Sequence, residues 1–142
     1  MSSTDYPHWE RVSTRWKDND VYGHLNNVVH YSLMDTVINN WLIRRGGLDI
    51  HDGAVIGLCV ESRCSYHQAA AYPEALELGL RVGHLGRSSV RYEVGIHRAD
   101  RETLVAEGLF THVFVDRASR RPREITGELR AALEELRPPS AG

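Results

Sequence analysis

The chain has 142 residues, of which 42% are apolar and 25% charged, with a formal net charge of −2. That is ordinary composition for one soluble globular domain, large enough to bury about two-thirds of its unfolded surface. It excludes the basic footprint of a nucleic-acid binder and any apolar run near the roughly 20 residues of a membrane span.

The first residues, Met-Ser-Ser-Thr-Asp-Tyr-Pro-His, have neither the basic start nor the apolar core of a signal peptide. The expectation is a cytoplasmic protein with a loose arm over residues 1–8. Residues 9–16 (Trp-Glu-Arg-Val-Ser-Thr-Arg-Trp) are rich in aromatic and β-branched types and read as a first strand. A polar loop follows, then a helix over about 27–45. Val29, Leu33, Met34, Val37, Ile38, Trp41 and Leu42 spread over roughly 220° of its circumference, an arc that suits a helix wrapped by a sheet. Arg44 and Arg45 complement its dipole, and Gly46-Gly47 ends it.

Residues 54–116 have strand periodicity. Ile56, Leu58 and Val60 alternate first. Leu76, Leu78, Leu80 and Val82 alternate strictly, as do Val90, Tyr92, Val94 and Ile96. Residues 104–115 are more continuously apolar, as expected for a strand covered on both faces. The connections at 83–87 and 98–101 are short enough for an antiparallel meander. A last helix is expected over 126–137, stopped by Pro138-Pro139. Repeats, low-complexity tracts and a second domain are absent, so residues 1–142 read as a single α+β domain with one antiparallel sheet and one long central helix.

Cys59 and Cys64 are five apart, which on a regular strand places them on opposite faces, so a bridge between them is not expected; two buried, reduced thiols fit the cytosol. The eight histidines form no His-x-x-x-His pair and nothing in the sequence argues for a metal or another cofactor.

The chemistry concentrates in Trp16-Lys17-Asp18-Asn19-Asp20-Val21-Tyr22-Gly23-His24-Leu25-Asn26-Asn27. Two carboxylates, an imidazole and a pair of carboxamides precede a helix. Gly23 permits a sharp turn, and an Asn is a favoured N-cap. Polar groups are thus gathered at the positive end of a helix dipole, a suitable place to hold a developing oxyanion. The string Asp-x-Asp-x-Tyr-Gly-His-Leu-Asn-Asn resembles the opening motif of the hotdog-fold thioesterases. It is most similar to the 4-hydroxybenzoyl-CoA thioesterase-like acyl-CoA hydrolases.

The resemblance is specific over residues 15–27 and extends in element order from about 12 to 125. It implies a hotdog fold, a homodimer or homotetramer with the active site at a subunit interface, and hydrolysis of an acyl-CoA or acyl-carrier-protein thioester without a cofactor. Asp20 is then the catalytic carboxylate, as general base or nucleophile, with Asp18 structural. His24 orients water or the thioester, or donates a proton. The backbone N–H near Asn27 polarises the carbonyl. Tyr22, Gly23 and Asn26 shape the loop, and Glu61 is a further carboxylate facing the same cleft. Gly86, Arg87, Ser88 and Ser89 open a strand where relatives hold pantetheine, while Arg117, Arg120, Arg121 and Arg123 suit phosphate. The rival readings are a non-hydrolytic acyl-CoA or apolar-ligand binder and, less favoured by the motif, a hotdog dehydratase or hydratase.

Overall fold

The alternating runs become strands because each can bury one row of side chains beneath a helix. In the computed structural model, which describes residues 5–138, strand β1 (His8–Ser13) leads into helix α1 (Asn27–Arg44). Strands β2 (Val55–Tyr66), β3 (Ala75–Leu85), β4 (Ser89–Arg98) and β5 (Leu104–Asp116) follow, then helix α2 (Gly127–Glu135). The strands form one sheet in the order β1-β3-β4-β5-β2, antiparallel throughout. This is the α+β hotdog architecture expected from the sequence, a sheet wrapped around one long helix.

The core lies between α1 and the sheet. Leu76, Leu78, Leu80 and Val82 of β3 and Val90, Tyr92, Val94 and Ile96 of β4 are buried there with Met34, Val37, Ile38 and Leu42 of α1. Each such side chain contributes about 1.5–3 kcal/mol relative to exposure. The helix also approaches β5 closely. A Cβ built on Gly108 would stand 2.5 Å from Met34 Sδ, so glycine is what admits the methionine there. His30 lies outside the apolar arc yet is only 4% exposed. Helix α2 closes one end, with Leu133 and Leu136 buried, Trp41 Nε1 donating to Ala132 O (3.0 Å) and Val82 N–H donating to Leu136 O (2.9 Å).

Three local expectations change. The first strand spans His8–Ser13, and Trp16 instead belongs to a 3-10 turn, Trp16–Asp18. The expected arm is packed where it is described: the Tyr6 ring covers Gly79 and Gly95, in space that a Cβ on either would need. Residues 1–4 of that arm lie outside the described residues. In β2 the register with β5 shifts between Cys59 and Glu61, a bulge at Val60. Cys59 faces His112 and Cys64 faces Gly108, four residues apart on β5, so the bulge returns both cysteines to one face. Both thiols are free, and Cys59 is exposed rather than buried.

The loop ahead of α1 is anchored by Asp18. This carboxylate is 2% exposed and accepts the Arg15 backbone N–H (2.8 Å), Arg15 Nε (3.1 Å) and a guanidinium nitrogen (2.9 Å). Burial by itself would raise the Asp18 pKa, but the bonds and charge of Arg15 outweigh it and hold the group below the usual carboxylate range. A depressed native pKa means that the ionised carboxylate stabilises the fold above the unfolded value, about 3.9, and that this contribution is lost as pH falls through the native value. Asp18→Asn is therefore expected to lower stability by about 1–3 kcal/mol at neutral pH. Melting curves of wild type and variant should converge in acid below about pH 4; a gap that stays constant would remove Asp18 from the anchoring role.

Candidate active site

The loop is shaped by backbone bonds before any side chain is considered. Asp20 N–H donates to His24 O (2.8 Å), Gly23 N–H to Asp20 O (3.1 Å), Asn26 N–H to Asp18 O (2.9 Å) and Leu25 N–H to Ala70 O (2.7 Å). Gly23 sits at φ +84°, a left-handed conformation that favours glycine. Asn26 is the N-cap of α1, its side-chain oxygen accepting from Val28 N–H (3.1 Å). Asn27 opens the helix, and its N–H donates to no group among the described residues.

Asp20 and Asp18 have opposite environments. Asp20 is partly buried, and its Oδ1 accepts only the Tyr22 N–H (2.9 Å). The second oxygen has no partner among the described residues, so it is free to accept a proton or to attack. Tyr22 and Val21 project outward, 80% and 94% exposed.

Beside this loop lies a cleft of about 310 Å³ lined by His24, Asn27, His30, Tyr66, His67 and Ala70, among others. Tyr66, at the end of β2, donates its hydroxyl to Asn27 O (2.9 Å) and so ties the edge strand to the first turn of α1. Burial, reinforced by neighbouring Cys64 and Tyr31, pushes the Tyr66 pKa to about 12, so the hydroxyl keeps its proton. The His30 ring stands perpendicular to Tyr66 with centroids 4.9 Å apart. Burial lowers the His30 pKa; the Asn26 and Asn27 carbonyls pull it partly back, although its buried Nδ1 makes no well-formed hydrogen bond. His67 Nε2 lies 3.2 Å from Glu107.

Of the residues singled out in the sequence, Asp20, Tyr22, Gly23, His24, Asn26 and Asn27 come together in this loop, with His24 and Asn27 on the cleft. Glu61 does not join them. Past the bulge it is opposite Thr111, while Phe110 and His112 on either side face α1, so Glu61 points to the far face of the sheet. Without the bulge it would have shared the face of Cys59. Gly86, Arg87, Ser88 and Ser89 form the β3–β4 turn at the other end of the sheet, where Ser89 pairs with Val113; the cleft end has Tyr66 opposite Ala106. Arg117 is engaged with the carbonyls of Gly53 (2.6 Å) and Ile50 (2.9 Å), and Arg123 with Asp116 (3.4 Å), which leaves Arg120 and Arg121 as the arginines of that group whose side chains engage no other group among the described residues. His30, Tyr66 and His67 were not foreseen. His30 follows Asn27 at helical spacing, which was the available signal; Tyr66 and His67 had none.

Among the described residues, no group of three or more His, Cys, Asp or Glu is placed to hold a metal ion, and no helix is long and apolar enough to cross a membrane. A comparison with curated proteins gave no match. Among solved structures, the PA5185 protein of Pseudomonas aeruginosa strain PAO1 is 50% identical, with a TM-score of 0.92 over 95% of this chain and 94% of that one. A 1,4-dihydroxy-2-naphthoyl-CoA thioesterase from Synechocystis, Slr0204, is 15% identical, with a TM-score of 0.81 over 90% and 96%. The SAV2348 protein of Staphylococcus aureus, solved in complex with CoA, is 12% identical, with a TM-score of 0.83 over 92% and 85%. The last two share the fold at identities too low to carry more. The profile of the thioesterase-like superfamily matches residues 14–133, from the strand end before the motif loop through most of α2. On that match and on the fold, the chain belongs to the thioesterase-like superfamily.

Proposed function

We propose that the protein hydrolyses acyl-CoA thioesters to a free carboxylic acid and CoA, with Asp20 as the catalytic carboxylate. The observation that carries this reading is that the motif loop holds two unspent groups among the described residues, the free oxygen of Asp20 and, at the start of α1, the undonated N–H of Asn27. A thioester carbonyl over the first turn of α1 would have its developing oxyanion stabilised by the Asn27 N–H and the helix dipole. Asp20 then either removes a proton from the attacking water or attacks the carbonyl to form a mixed anhydride, which water cleaves. His24, on the wall of the cleft, orients the water or the leaving thiolate. Superfamily membership supports the reaction type. Among the similar folds one was solved with CoA and another is a CoA thioesterase, and CoA is the thiol carrier taken here, with an acyl-carrier protein as the other carrier of the same pantetheine arm.

Asp20→Asn keeps the side chain's size and its acceptor for Tyr22 N–H while removing the base. Turnover of acyl-CoA, followed by free thiol release, should fall by about 10²-fold or more, with the melting temperature nearly unchanged. Full activity in Asp20→Asn would sink the assignment. Intact acyl-CoA binding with no turnover in the wild type would favour the non-hydrolytic binder. A single turnover in ¹⁸O-water tests the nucleophilic route: an unlabelled product acid with label in the Asp20 side chain requires a mixed anhydride cleaved at the Asp20 carbonyl, whereas a product labelled at once is given by general-base attack or by cleavage at the acyl carbonyl.

The site is proposed to be completed by a second copy. Along its outer edge β2 has no partner strand among the described residues, and Val60 within it and Ile50 shortly before it are exposed large apolar residues, as are Val28 and Ile43 of α1. A long unpaired edge flanked by apolar surface is one that proteins cover. Antiparallel pairing of two β2 edges would set the Val55 end of one strand beside the Tyr66 end of the other. The turn at Gly86, Arg87, Ser88 and Ser89 of one copy would then stand on the side of the cleft of its partner, where a pantetheine arm could run between them. Free Cys59 and Cys64 suit a cytoplasmic setting. Light scattering should give a mass of at least twice 16.1 kDa. Val60→Asp should shift the protein toward monomer and reduce activity together; an active monomer would contradict the shared site.

A further inference from the structure

The first residue of α1 is joined to the sheet by a side-chain bond. Tyr66, the last residue of β2, donates its hydroxyl to Asn27 O at 2.9 Å, although the two are 39 residues apart in sequence. With its pKa pushed by burial to about 12, the hydroxyl remains a donor throughout the neutral range. The fold does not need this bond to satisfy the carbonyl. Asn27 lies within α1, where a carbonyl accepts an N–H four residues on, and the Asn26 side chain already caps the helix end. The Tyr66 ring is itself 47% exposed, so little of the core depends on it.

What the bond adds is orientation. Helix ends are where the chain frays, and a rotation of the first residue swings its N–H and its C=O together. A phenol that holds the carbonyl from the edge strand therefore also fixes the direction of the N–H, the group that donates to nothing else among the described residues. The phenol is braced in turn. His30, one turn along α1 from Asn27, is 4% exposed, and its ring stands perpendicular to that of Tyr66 with centroids 4.9 Å apart. Burial lowers the His30 pKa, with the Asn27 and Asn26 carbonyls pulling it part of the way back, so the ring packs uncharged at neutral pH. Asn27, His30 and Tyr66 all line the same cleft.

We propose that Tyr66 is a positioning residue for the hydrolysis: it holds the first turn of α1 so that the Asn27 N–H meets the developing oxyanion, and His30 holds the Tyr66 ring in place. Neither side chain needs to touch the reacting atoms. The inference rests on the hydrolase reading above, in which the Asn27 N–H is the oxyanion donor.

The test compares turnover of octanoyl-CoA with binding of S-octyl-CoA, a thioether that lacks the carbonyl. Tyr66→Phe removes the hydroxyl and keeps the ring. Its kcat should fall by about tenfold or more, while KM, the affinity for S-octyl-CoA and the melting temperature stay close to wild type. His30→Ala should lower kcat in the same way, and His30→Phe, which keeps a ring at the contact, should recover most of it. Tyr66→Phe combined with His30→Ala should be little slower than Tyr66→Phe alone, because both act through one bond. Losses that multiply in the double variant overturn the part given to His30. A kcat that Tyr66→Phe leaves unmoved, or a loss that appears instead in KM and the melting temperature, overturns the inference; with Asp20→Asn inactive, the hydrolase reading still stands. A wild type that binds S-octyl-CoA but turns over no acyl-CoA overturns the hydrolase reading and this inference with it.

Discussion

The seating of α1 on the sheet is the constraint on which the rest of the molecule depends. Met34 enters the space that Gly108 leaves open, and Val37, Ile38 and Leu42 continue the same contact along the helix. Because interiors pack to crystal-like density, such a contact has few alternative positions. It sets where the helix begins, and therefore where the Asn27 N–H and the positive end of the dipole point. The motif loop then needs to do little more than arrive at that place in the right shape. The Asp18–Arg15 cluster, the Gly23 turn and the Asn26 cap bring it there.

Two carboxylates two residues apart take opposite parts for a physical reason. Asp18 is buried and surrounded by donors, so its charge is fully used in holding the chain. Asp20 accepts one backbone N–H and keeps an oxygen in reserve. Stabilising a carboxylate with several bonds makes it a poorer base and nucleophile, and the division leaves reactivity where the anchor is absent. Tyr66 adds a link between this site and the sheet edge, since its hydroxyl bonds the first helical residue from the end of β2. Any partner that orders β2 would act on the start of α1 through the same bond.

Among the described residues, the outer edge of β2 pairs with no other strand. The bulge at Val60 sets the faces of this strand. It turns Glu61 away from the helix-facing row while keeping Cys59 and Gly57 on it. The edge strand therefore presents Gly57 and Cys59 toward α1, rather than a continuous row of large apolar side chains.

Much of this was legible in the chain itself. Strict alternation at residues 76–82 and 90–96 identified two central strands, because one buried face demands a period of two. The wide apolar arc over 29–42 identified the helix that they cover. The clustered Asp, Gly, His and Asn residues located the loop, because turn and cap chemistry is local and depends on a few neighbours. The face on which Glu61 lies, the shared face of the two cysteines, the burial of His30 and the bond from Tyr66 to Asn27 were decided only by the tertiary structure. Each depends on register between strands distant in sequence, or on what packs across a layer. One extra residue at Val60 reverses side-chain parity beyond it, and no local pattern reports that insertion. Local chemistry determined which residues could react and where the helix would start; the long-range pairing of β2 with β5, and of α1 with the sheet, decided which of them meet.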